Sequence, residues 1–284
     1  MQHFTLTLAA ALATLPIATL ADPGSFTRDG VEIHYDDTGH GPAVVFLHAF
    51  AGTSTLWERT GLAPYGGLRT ITYDARGHGA SGKPAVPDAY GTQMVDDLAA
   101  LLDDRGLEAA HLVGYSMGAE TALAFAADNP ERVLSLTVAG SGWSGPAQAA
   151  VYGFIAEALA ESASFGAFMA AMTPEGAPDL SPEEQAGMMA LLAGHGIAPS
   201  QSTAPLAAVS AGMAQFIDLT ADDLARFDFP VLGLAGTADE ERDAVEKLAE
   251  AMADFRFVPI PEADHLMAPF VPVFAETVAG FLTE

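Results

Sequence analysis

Short apolar runs rich in β-formers alternate with helical runs along most of this chain, and that alternation limits its fold more than any other feature. Ala43 to His48 (AVVFLH), Leu68 to Tyr73, Ala110 to Tyr115, Val133 to Ala139, Val231 to Ala235 and Arg256 to Ile260 read as strands. Continuous apolar runs of this length suit strands buried on both faces. Between them, Met94, Val95, Leu98, Leu101 and Leu102 fall on one helical face, and Met117 to Asp128 reads as a helix ended by Asn129-Pro130. Further helices are expected near Asp243 to Ala253 and from Pro269 to Leu282. Strand–helix–strand repetition implies an α/β fold, a mostly parallel twisted sheet with helices on both faces. Phe26 to Asp37 adds a hairpin turning at Arg28-Asp29-Gly30.

The alternation stops between about residues 142 and 226, where only helical signals occur. Ser181-Pro182-Glu183-Glu184 is a helix start, with Ser as N-cap, Pro in the first turn and Glu184 closing a capping box; Thr220 with Asp223 repeats the device. The expected organisation is a core built from 22–141 and 227–284, interrupted by a helical insertion over 142–226. Residues 1–21 stand apart. Phe4 to Ala21 is apolar with small residues and ends Thr19-Leu20-Ala21, which reads as a signal peptide although no Lys or Arg precedes it. A periplasmic or secreted protein is the expectation, a cytoplasmic one the alternative.

Composition removes several function classes. A formal net charge of -26, with 37 acids against 11 Lys and Arg, argues against nucleic acid and against docking on anionic lipid. It fits a solvated acidic surface, or a surface suited to saline surroundings where salt screens its self-repulsion. There is no cysteine, which excludes thiol nucleophiles, disulfides, zinc–thiolate sites and a lipidated-cysteine anchor. No interior apolar run is long enough to span a bilayer. Neither a metal nor a cofactor is called for.

Gly114-Tyr115-Ser116-Met117-Gly118 is a G-x-S-x-G sequence with a strand running in and a helix running out. A sharp strand-to-helix turn strains its central residue and lifts the Ser116 hydroxyl above the sheet edge, beside the positive end of the helix. Gly114 and Gly118 leave room where any Cβ would meet backbone. A serine hydroxyl needs a base to take its proton. Of eight histidines, His265 follows the last strand and emerges on the same sheet edge as Ser116. His34, His40 and His111 sit in or beside strands away from that edge, and His195 falls in the insertion, at its surface or in a pocket. The imidazole in turn needs a carboxylate. Asp239 is the first one past the strand Val231 to Ala235, with Glu240, Glu241 and Asp243 as rivals.

The order Ser, Asp, His along the chain, with these loops, resembles the α/β-hydrolase superfamily over everything after the N-terminal segment. Leu47-His48-Ala49-Phe50 looks like the family's oxyanion segment, with Ala49 where a glycine is usual. Tyr73 to Ser81 looks like its D-x-R-G-x-G-x-S loop. The resemblance implies a Ser116–His265–Asp239 triad and an oxyanion hole made by the backbone N–H groups of Phe50 and Met117. It gives His48 and the Asp74–Arg76 loop a structural role, and makes the insertion a cap over the site. That insertion carries Met169, Met172, Met188, Met189 and Met213, with Phe154, Phe165, Phe168 and Phe216. Most of these suit helix–helix core; Trp143, Met169 and Met188 are the pocket candidates. Almost no basic residue lies in the insertion, so a polyanion finds no counter-charge there. The expected substrate is a small, uncharged, largely apolar ester or lactone. Carbon–carbon bond hydrolysis, perhydrolysis, lyase chemistry and a non-catalytic binding pocket are the alternatives.

Overall fold

A computed structural model describes residues 22–143, 146–173, 180–216 and 219–284. The expected signal peptide, 1–21, lies outside the described residues, as does the Phe216 side chain. Eight strands form one sheet: β1 (Asp22–Arg28), β2 (Val31–Gly39), β3 (Ala43–Leu47), β4 (Arg69–Tyr73), β5 (Ala110–Tyr115), β6 (Val133–Ala139), β7 (Val231–Gly236) and β8 (Phe255–Ile260). Their order is β1-β2-β4-β3-β5-β6-β7-β8. β2 is antiparallel to β1 and β4, and every other pairing is parallel. The hairpin closes through Asp29 and Gly30, both with positive φ, the backbone a two-residue turn between twisted strands requires.

Helices α1 (Thr55–Arg59), α2 (Thr92–Asp104) and α3 (Met117–Asp128) alternate with the strands, and α4 (Pro146–Glu161), α5 (Phe165–Ala171), α6 (Pro182–Gly194), α7 (Thr203–Phe216) and α8 (Ala221–Leu224) all lie between β6 and β7. After β7 come α9 (Arg242–Glu246) and α10 (Pro272–Phe281). β3 and β7 are buried along their whole length, as their unbroken apolar sequences require, and β5 is buried at every residue but the half-buried His111. One core packs α2 and α3 against one sheet face through residues such as Leu98, Leu123 and Phe125. The other packs α1 and α10 against the opposite face through Trp57, Phe274 and Val278. A third, smaller core joins the inserted helices through Leu159, Phe165, Phe168, Leu192 and Leu206.

Two helices differ from expectation. α9 stops at Glu246 and continues only as a 3₁₀ turn to Glu250. The final helix does not run unbroken from Pro269. A 3₁₀ turn ends at Phe270, and Val271 is extended (φ −77°, ψ 128°) before Pro272 opens α10. The pyrrolidine ring of Pro272 disfavours helical backbone in the residue before it. Both capping boxes are present, Ser181 with Glu184 and Thr220 with Asp223.

Candidate active site

The C-terminal ends of β3, β5, β7 and β8 share one sheet edge, and each supplies a loop to the site. Ser116 occupies the turn between β5 and α3 at φ 54°, ψ −119°, a strained conformation for a residue with a side chain. The chain can turn this sharply because Gly114 and Gly118 flank it. A Cβ on Gly118 would strike the Leu47 carbonyl of β3, and one on Gly114 would strike the backbone of Gly118 and Ala119.

His265 stands in the loop after β8. Its Nε2 is 3.1 Å from Ser116 Oγ, and its Nδ1 is 3.1 and 3.2 Å from the two carboxylate oxygens of Asp239. In the neutral ring, Nδ1–H donates to Asp239 and Nε2 accepts from the serine hydroxyl. The Asp239 side chain is fully buried, and its Oδ1 also accepts the Glu241 backbone N–H (2.9 Å). Glu240, Glu241 and Asp243 make no such bond to the imidazole among the described residues. The base loop is held from below: the Tyr115 hydroxyl donates to the His265 carbonyl, and Asp264 accepts the N–H groups of Leu266 (3.0 Å) and Met267 (2.8 Å). Burial of His265 opposes its charged form. The Asp239 hydrogen bond and the charges of Asp239, Glu241 and Glu120 outweigh it and hold the imidazole above its usual pKa.

The loop after β3 lies against the nucleophile turn because Leu47 and Gly114 are register partners. Two buried histidines shape it. His48 donates from Nδ1 to its neighbour's carbonyl, Ala49 O (2.8 Å), and accepts the Ala75 N–H at Nε2 (3.0 Å). His78 accepts the N–H of Ala51 (3.1 Å), a residue at φ 59°. Burial pushes both rings below the ordinary histidine value, so both stay neutral, the form in which one nitrogen can accept. Asp74, just past β4, ties the same loop to its own, accepting the N–H of Ser54 (2.8 Å) from the former and of Ala80 (2.7 Å) from the latter. Ala49 keeps a negative φ, so its methyl is accommodated without strain. The backbone N–H groups of Phe50 and Met117 donate to no protein acceptor among the described residues.

Above the serine is a cavity of about 540 Å³. Its walls combine Phe50 with Ile155, Phe165, Phe168, Met169 and Leu192 of the inserted helices. Met169 is placed as expected. Trp143 is not among the lining residues: its indole N–H donates to the Leu219 carbonyl (2.8 Å), and the Lys247 ammonium sits 4.6 Å over its ring. Met188 is absent from the lining as well and is 38% exposed on α6. From Ala186 on, α6 carries only Ala, Gly, Met and Leu, so its sequence does not reveal which face turns inward.

Two residues of the site were not assigned from sequence. His195, which ends α6, is buried; its Nε2 donates to the Leu266 carbonyl (2.7 Å) and its own carbonyl accepts the Thr53 N–H (3.1 Å). It therefore ties the inserted helices to both the base loop and the oxyanion segment. Glu120, in the first turn of α3, is buried beneath the cavity and pushed up to about 7 by that burial, against hydrogen bonds from Tyr152, Ser141 and Gln148. A polar residue four places after the serine in an apolar helix was the available signal.

Comparison with known proteins agrees with this architecture. The family model for the alpha/beta hydrolase fold matches residues 42–178. A 2-hydroxy-6-oxononadienedioate/2-hydroxy-6-oxononatrienedioate hydrolase of Burkholderia vietnamiensis is 39% identical over 128 residues, 43% of this chain and 44% of that protein. The match thus spans less than half of that relative's length. Over nearly whole chains, a hydrolase from Pseudomonas aeruginosa PA01 superposes with a TM-score of 0.77 at 26% identity, covering 93% of this chain and 99% of that one. Est816, described as an N-acyl homoserine lactone degrading enzyme, does so at 0.67 and 27% identity, covering 91% and 100%. With family match, full-length likeness and sheet order all pointing one way, the chain belongs to the α/β-hydrolase superfamily.

Proposed function

We propose that this protein is a serine hydrolase that cleaves the carboxylic ester or lactone of a small, uncharged, largely apolar molecule. The observation that carries this reading is the unbroken line of hydrogen bonds from Ser116 through His265 to Asp239. Ser116 Oγ attacks the carbonyl carbon while His265 Nε2 takes its proton. The oxygen that becomes negative is received by the Phe50 and Met117 N–H groups, each such donor being worth roughly 3–4 kcal/mol in related sites. The tetrahedral adduct collapses to an acyl-serine as the imidazolium returns its proton to the leaving alkoxide. His265 then deprotonates a water, which attacks the acyl carbon and releases the acid and the free serine.

The class of substrate follows from the walls. The aromatic and aliphatic side chains from α4, α5 and α6 suit an apolar acyl or alcohol group. Asp239, Glu240, Glu241 and Asp264 also line the cavity, and no Lys or Arg does among the described residues. A dianion such as the dienedioate named for the Burkholderia relative would meet like charge there. Carbon–carbon hydrolysis of such a compound is the second reading, favoured by that relative's identity and opposed by this lining. Parallel assays separate the two. Expected is a burst of p-nitrophenol from p-nitrophenyl butyrate, with a dienedioate ketone at least about 100-fold poorer, as like-charge repulsion of a few kcal/mol requires. The reverse ranking would overturn the ester reading.

A further inference from the structure

Glu120 has no part in the proton relay, yet it is buried and accepts three side-chain hydrogen bonds near the site. Its Oε1 accepts the Ser141 hydroxyl and the Gln148 side-chain N–H, both at 2.7 Å, and its Oε2 accepts the Tyr152 hydroxyl at 2.6 Å. The residue is 3% exposed, and no Lys or Arg pairs with its carboxyl among the described residues. Ser141 lies just past β6, while Gln148 and Tyr152 are one turn apart on α4. All three donors line the cavity; Glu120 does not. The Tyr152 carbonyl in turn accepts the Ser210 hydroxyl of α7 (2.7 Å), so the clasp reaches a second inserted helix.

Simple packing of α4 on α3 calls for nothing of this kind. An apolar side chain of similar volume would hold two helices together without burying a carboxylate. What the carboxylate adds is direction: three hydroxyl and amide donors are aimed at one point, which fixes the rotamers of the residues that form one wall of the cavity. The backbone N–H of Glu120 also bonds the Ser116 carbonyl (3.1 Å), so that point is in rigid register with the nucleophile.

We propose that Glu120 is a positioning residue: by holding Ser141, Gln148 and Tyr152 against the helix that follows Ser116, it sets which acyl or alcohol groups the cavity accepts. The substrate part of this statement rests on the hydrolase reading above. Removing the acceptor strands three buried donors and lets the wall relax. Glutamine keeps one acceptor oxygen and can donate to the Tyr152 oxygen in place of accepting from it.

The test compares Glu120→Leu, Glu120→Gln and Tyr152→Phe with the wild type on p-nitrophenyl esters of increasing acyl length. Glu120→Leu is expected to raise KM for hexanoate by about tenfold, the scale of a lost buried hydrogen-bond set, with kcat changed far less. Glu120→Gln should recover most of that loss, and Tyr152→Phe should move selectivity in the same direction as the leucine variant. A second arm does not depend on turnover: binding of 2-octanone, an uncleavable ketone, to Ser116→Ala and to the Ser116→Ala/Glu120→Leu double variant. Weaker binding to the double variant supports the proposal even if the wild type cleaves no ester, an outcome that would sink only the hydrolase reading. Equal loss in kcat and KM for every ester, a glutamine variant no better than leucine, or unchanged ketone affinity would each overturn it. Should the leucine variants fail to fold, Tyr152→Phe and Ser116→Ala/Tyr152→Phe decide between the same outcomes.

Discussion

Burial and charge compete at His265, and charge wins. Because its pKa is held above the ordinary value of 6.5, kcat/KM is expected to rise with pH through an ionisation above 6.5, the neutral ring being the proposed base. Replacing Asp239 by Asn removes the bond that fixes the tautomer and the charge that stabilises the imidazolium. The rate should fall by about 10⁴, with the ionisation moving to lower pH. A nearly silent Asp239→Asn alongside a crippled Asp243→Asn would assign the acid elsewhere. At this scale the sequence was informative wherever a residue lies in the loop just past a strand's C-terminal end, because in a parallel sheet all such loops open on one edge. Ser116 directly follows β5, Asp239 is three residues past β7 and His265 five past β8. Glu120 was not legible, since an acid in a helix reads as solvated until the helices packed over it are known. Trp143 and Met188 were misplaced for the converse reason: an apolar side chain in a helical insertion suits a pocket, a core or the surface equally well.

The turn from β5 into α3 is the element on which the site depends. It brings α3 so close to β3 that position 118 has room only for hydrogen, the obstacle being the backbone carbonyl of Leu47. Gly118→Ala must push the helix off the strand. It should cost about 1–3 kcal/mol in unfolding free energy, as overpacking does, and lower ester turnover as the Met117 N–H shifts. Denaturant unfolding and initial rates check this, and unchanged values for both would contradict the close approach. Strands β3 to β8 and α3 were readable to within a residue or so because apolar runs and the Asn129-Pro130 stop are local signals, whereas the hairpin expected from Phe26 to Asp37 runs from Asp22 to Gly39. The breaks at Glu246 and Val271 were harder to foresee, since a 3₁₀ turn keeps the same apolar residues inward.

Across the whole molecule, 37 acidic residues face 11 basic ones, so the folded state carries substantial self-repulsion at neutral pH. Raising salt from about 0.1 M to about 1 M shortens the screening length from about 10 to about 3 Å, and the unfolding temperature should rise accordingly. Calorimetry at the two salt concentrations tests this; a fall in unfolding temperature would mean that attractive ion pairs such as Arg69–Asp37 outweigh the repulsion. The sheet class could be read from the alternation of elements. The cavity could not, because its wall is assembled from helices separated in sequence and joined only by packing and by the Glu120 and His195 contacts. The central claim is that the molecule presents one activated serine at the meeting point of three loops. Intact-mass measurement after treatment with a fluorophosphonate tests it most directly. One adduct per chain, mapped to Ser116 and absent from Ser116→Ala and from heat-unfolded protein, is the predicted result. Folded protein that takes up no adduct, or takes it up equally in Ser116→Ala, would contradict the account.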